Sequence, residues 1–174
     1  MEETRLTEAG QRCMRAIAKE WGWECHWGKP LGSPTGGIWG APQGGVGLLF
    51  RKGWSVRKVE PDPDDPIACR LWHSGRWLHT RAGIGAGHCV LNIFVAYGIP
   101  GNESLNQEFW EQVVCYMSKL GNAGCILLTD ANFNFDLLHK VPAALLTALA
   151  DGWLVDADRT FSVLHGTPCA CGFT

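Results

Sequence analysis

The apolar run Cys125-Ile126-Leu127-Leu128 ends in Thr129-Asp130, and an asparagine follows at Asn132. A buried strand that stops at a carboxylate sets that group at the mouth of a sheet, where chemistry is usually done. Three kinds of chemistry compete for these residues. The pattern Asp130-x-Asn132-x-Asn134 invites a calcium loop, but Phe135 stands where glycine is needed and Val141 where a bidentate glutamate is needed. A strand-end aspartate is also a common turn former or helix cap. The third possibility is an acid–base site completed by residues from elsewhere in the chain.

Other clusters are weaker. His165, Cys169 and Cys171 offer three soft ligands without a C-x-x-C pair, which excludes a closed zinc site built from that segment. Cys13, Cys69, Cys89, Cys115 and Cys125 lie in apolar runs and are expected as reduced core thiols. Tyr97, at the end of an apolar strand, reads as a sheet-end aromatic, and Glu3 as an acid placed before a helix.

The 174 residues suit one domain, 1–174, with 46% apolar and 18% charged residues as in a globular protein. A formal charge of −2 gives no overall attraction for nucleic acid, so any polyanion site must be local. Arg51, Lys52, Arg57 and Lys58 read as a solvated hairpin. No apolar run reaches the length of a membrane span, and residues 1–10 lack the order of a secretory signal, so an intracellular protein is expected.

The elements that must position these groups follow from periodicity. Residues 7–21 predict a helix with Met14, Ile17 and Trp21 inward and Gly22 at its end. Residues 23–44 read as a loop with one short strand, and residues 46–50 and 55–59 as a hairpin turning at Lys52-Gly53. After the turn cluster 61–66, residues 67–72 and 77–81 read as two strands joined at Ser74-Gly75. Residues 88–97 predict a central strand with two apolar faces. A helix opening on a Ser104/Gln107 capping box follows, with Leu105, Phe109, Val113, Met117 and Leu120 buried and Gly121 as cap. The strand 124–129 and a helix from Pro142 to Ala150 complete the pattern.

At this point the chain resembles the endonuclease/exonuclease/phosphatase superfamily, with the deoxyribonuclease-I-like fold, and in particular the endonuclease domains associated with reverse transcriptases. Glu2-Glu3-Thr4 resembles the family's Gln-Glu-Thr motif, and Gly44-Gly45-Val46-Gly47 its Gly-Gly-Val-Ala strand. Asn92 to Tyr97 resembles the Asn-Val-Tyr strand end, and Thr129-Asp130-Ala131-Asn132 the Gly-Asp-Phe-Asn signature. The resemblance implies an α/β fold, an incomplete four-layer α/β/β/α sandwich with two mainly antiparallel or mixed sheets. It also implies magnesium-dependent phosphodiester hydrolysis, with manganese able to replace magnesium. Glu3 would hold the ion, Asp130 would deprotonate the attacking water, Asn132 would hold that water in line, and Tyr97 would donate to a phosphate oxygen. The implied partner is nucleic acid, DNA ahead of RNA, or a small phosphate ester.

The family site ends in an aspartate–histidine pair after an Arg-Ile-Asp strand. None of His26, His73, His79, His88, His139 or His165 follows an aspartate here. The family's opening strand lacks a counterpart too, so the chain is expected to be a partial, truncated domain with impaired hydrolysis. Asp156 and Asp158 match a structural segment instead of the missing pair. The alternative is a non-catalytic fragment or binding module that keeps the middle of the fold.

Overall fold

A computed structural model describes residues 4–30, 45–84, 89–121, 123–133 and 137–157. Helix α1 (Glu8–Glu20) is capped by Thr7, whose hydroxyl accepts from the Gly10 amide. It packs on a two-stranded antiparallel sheet of β1 (Trp23–Trp27) and β2 (Gly47–Arg51), paired from Trp23 opposite Arg51 to Trp27 opposite Gly47. The second sheet has the order β3-β4-β5-β6, with β3 (Val56–Lys58), β4 (Trp77–Ile84), β5 (Cys89–Tyr97) and β6 (Cys125–Asp130). Its first two pairings are antiparallel, whereas β5 and β6 run parallel. A parallel pair needs a crossover, supplied by α3 (Glu103–Ser118). Helices α2 (Pro66–His73) and α4 (Ala143–Ala150) lie on the same side as α3.

Three separate cores fall between four layers. Ala18, Cys25 and Trp27, with Leu6, Met14 and Leu49, fill the gap between α1 and the small sheet. Val46, Leu78, Val95 and Tyr97 fill the gap between the two sheets. The largest core lies under the three outer helices and includes Trp77, Phe94, Phe109, Trp110, Val113 and Met117. This is the α/β/β/α order expected, with one antiparallel and one mixed sheet.

The small sheet has two strands and the large one four, so the inner face of the large sheet is only partly covered among the described residues. Ile126 and Leu128 share that face with Ile93 and Val95 by register, and remain 43% and 41% exposed. No helix among the described residues is long and apolar enough to cross a membrane.

Several local expectations are corrected. Residues 67–72 form helix α2, not a strand: Asp65 caps the Ile67 and Ala68 amides at 2.9 and 3.2 Å, and Pro66 presets the first turn. Short apolar runs leave helix and strand undistinguished by pattern, and here the cap decides. β3 pairs with β4, while β2 pairs with β1, so residues 46–50 and 55–59 are no hairpin. The basic residues consequently sit on different sheets, with the Arg51 guanidinium 4.3 Å from the Trp23 ring centre and the Lys58 ammonium 4.0 Å from that of Trp72. Asn102, not Ser104, caps α3, its side chain accepting from the Leu105 amide at 3.0 Å. Ile17 and Trp21 face solvent, whereas Gln11 and Ala18 are buried, with Gln11 donating to the Gly28 carbonyl. Cys13 and Cys115 are exposed thiols, not core ones.

Candidate functional site

Parallel pairing makes β5 and β6 end side by side, with Tyr97 opposite Asp130. The start of β4 lies at the same end, because the Tyr97 amide donates to the Arg76 carbonyl at 3.0 Å. The chain leaves both strands through tight, mutually bonded turns. Gly98 N–H donates to the Asp130 carbonyl at 2.8 Å. A β-carbon on Gly98 would lie 2.2 Å from the Ala131 carbonyl oxygen, so only glycine permits this approach.

Asp130 is exposed, and one carboxylate oxygen accepts from the Asn132 amide at 3.1 Å. That bond closes a turn of the kind aspartate forms with its own backbone. Asn132 has φ +54°, the left-handed region that asparagine tolerates better than most residues. Its side-chain amide donates back across the strands to the Gly98 carbonyl at 2.8 Å. The same carbonyl accepts from the Arg76 guanidinium at 2.9 Å. Tyr97, Asp130 and Asn132 are therefore brought together at one end of the sheet.

Tyr97 is 3% exposed, packed with Val46, Leu78 and Val95, and the Arg76 guanidinium carbon lies 5.0 Å from its ring centre. The tyrosine ring is thus a buried wall at the sheet end.

Glu3 and Asp158 lie outside the described residues, as do His165, Cys169 and Cys171. The residue after Glu3 is held by two successive backbone bonds. Thr4 N–H donates to the Gly45 carbonyl at 2.9 Å, and Gly45 N–H donates to the Gly75 carbonyl at 3.0 Å, next to Arg76. Gly45 has φ +90°, and a β-carbon there would lie 2.6 Å from the Thr4 hydroxyl, so the N-terminal segment crosses it closely. Asp156 lies elsewhere, on a groove of about 660 Å³ along β6 walled by Leu127, Leu145, Leu149 and Trp153.

Three residues that sequence reasoning missed hold this site in place. Arg76 is a charged group only 2% exposed, joining β4, the Gly98 turn and Tyr97. Asn106, on α3, accepts from the Ile99 amide at 2.8 Å and donates to the Ala131 carbonyl at 3.1 Å. Trp110 donates its indole N–H to that same carbonyl at 3.2 Å. The available signal was a pair of polar-capable residues, at positions 106 and 110, one helical turn apart on the buried face of α3.

A second polar cluster lies under α3. The His79 ring sits 3.0 Å from both the Tyr116 hydroxyl and the Asn92 side-chain oxygen, which also accepts from Arg81. Burial pushes the His79 imidazole down to about 4, opposed in part by its bond to Asn92.

Among the described residues, no group of three or more His, Cys, Asp or Glu side chains could hold a metal ion. The donors at the strand ends are hard oxygens, the Asp130 carboxylate and the Asn132 amide, with a buried guanidinium behind them. An exposed carboxylate so held stands where it could meet a ligand at the strand ends.

No family model and no curated protein matches the chain. Among solved structures it is similar to ANGEL2, a 2′,3′-cyclic phosphatase solved in complex with adenosine-2′,3′-vanadate, with 14% identity and a TM-score of 0.51 over 87% of this chain. The chain spans 42% of that protein's length. What the two share at this identity is the fold, an α/β sandwich.

Proposed function

We propose that the chain is a phosphoesterase domain whose site lies at the joined ends of β5 and β6 and whose reaction is metal-assisted cleavage of a phosphodiester. The observation that carries this reading is the Tyr97–Asp130 register, locked by Asn132 and Arg76 on one carbonyl. It puts an exposed carboxylate and an amide side by side at a sheet end, and the fold it shares with ANGEL2, by name a phosphatase acting on a cyclic phosphate, supports it.

The donor chemistry fits magnesium better than zinc. Magnesium takes one or two protein carboxylates and completes its shell with water and substrate phosphate. Glu3 would supply one such carboxylate, and the bound ion would polarise the phosphoryl oxygen. The side chains do the rest. Asp130 takes the proton of the attacking water, and Asn132, fixed by its bond to Gly98, holds that water in line. Arg76 fixes the Gly98 carbonyl to which Asn132 also donates. Tyr97 donates its hydroxyl to a phosphate oxygen as charge builds there.

Nucleic acid, with DNA ahead of RNA, or a nucleotide phosphate ester is the substrate class. Nicking of supercoiled plasmid in magnesium, compared with chelator, tests the reading. The natural chain is expected to nick, Asp130→Ala to lose about 10²–10⁴-fold, and Tyr97→Phe to lose less. Equal background in the natural chain and Asp130→Ala would reject catalysis and leave a non-catalytic binding domain.

A further inference from the structure

A cavity of about 270 Å³ opens beside the proposed site, between the start of α3 and the segment after β6. Its lining includes Ile99, Asn102, Glu103, Asn132, Phe133 and Lys140. Asn132 belongs to both the cavity and the strand-end turn, so a ligand in the cavity adjoins Asp130.

The lining chemistry narrows the ligand. Asn106 also borders the cavity, but both of its amide atoms are engaged by backbone, so it acts as wall. Lys140 offers a cationic donor and Glu103 an anionic acceptor, both on exposed side chains. Asn102 uses its side-chain oxygen on Leu105, which leaves its NH₂ group as a further donor. Phe133, half-buried with its ring 6.3 Å from Trp110 in an edge-on arrangement, supplies an aromatic surface, and Ile99 an apolar one. A phosphate presents only acceptors and would be repelled by Glu103. A purely apolar ligand would make use of none of the three polar groups. A planar heterocycle with donors on one edge, acceptors on another and a π face matches all of them.

We propose that this cavity receives the nucleobase next to the phosphate held at Asp130 and Asn132, with guanine preferred. Guanine presents O6 and N7 to a lysine and its N1–H and N2–H₂ donors to a carboxylate, while Phe133 contacts its face. The proposal rests on the phosphoesterase reading only for where the phosphate sits; base binding is measured independently of cleavage.

Calorimetric titration of the full chain with guanosine monophosphate, adenosine monophosphate and ribose 5-phosphate tests it. Guanosine monophosphate is expected to bind most tightly and ribose 5-phosphate about tenfold or more weakly. Glu103→Gln and Phe133→Leu, both checked for an unchanged thermal transition, are expected to weaken guanosine monophosphate about tenfold and leave ribose 5-phosphate unchanged. Neither variant should alter hydrolysis of bis(4-nitrophenyl) phosphate, which carries no base. Equal binding of the three ligands, or equal losses for all of them in the variants, would overturn the base pocket. Base-selective binding without any hydrolysis would overturn the phosphoesterase reading and leave the pocket standing.

Discussion

Asn106 makes the site a property of α3 as much as of the strands. Its two bonds satisfy the Ile99 amide and the Ala131 carbonyl, so a single side chain ties the exits of β5 and β6 together. Replacing it with leucine keeps the volume roughly constant and strands both backbone groups. The expected loss is about 2 kcal/mol in urea unfolding with an unchanged slope, together with reduced nicking as the Asp130 turn loosens. The place of Asp130 and Asn132 at a sheet end was legible in the sequence, because an apolar run that stops at a carboxylate marks the end of a strand. Arg76, Asn106 and Trp110 were not, since their partners are main-chain carbonyls of segments 21–25 residues away. Nothing in residue type announces a bond to backbone. Glu3 and its neighbour motif were read by resemblance alone.

At the scale of elements, the strands and the crossover helix were the readable part, because β5 and α3 each carry a long, consistent period. The misreadings fall where a run is short or a face is shared. Residues 67–72 could be strand or helix until Asp65 caps them, and Ile17 and Trp21 obey helical spacing on the face that α1 turns away from the sheet. The β4–β5 pair also buries a titrating group. His79 is 2% exposed and held near 4, below the 6.5 of a free imidazole. The unfolded chain therefore binds more protons than the folded one between these values. Stability is full above about pH 6.5 and is lost as pH falls toward 4, by about 3 kcal/mol at most for this group. Unfolding free energy measured across that window should fall more steeply with acidification in the natural chain than in His79→Gln, by up to one proton's slope.

Across the whole molecule, the three cores are unequal. Twelve buried residues join the outer helices to the large sheet, four join the sheets, and three join α1 to the small sheet, among those described. The packing is thus thickest under the outer helices and thinner around the small sheet, and the inner face of the large sheet is left open at Ile126 and Leu128. Local opening follows the least-packed contacts. In deuterium exchange, amides of α1, β1 and β2 are expected to label well before those of β4, β5 and α3; uniform labelling would contradict this. Because Thr4 is bonded to Gly45 beside the thin layer while Asp130 sits on the thick one, peeling would dismantle the proposed site from one bank only. On the proposed reading, cation affinity and ligand affinity would then be lost at different temperatures, and warming would uncouple the two before the protein melts.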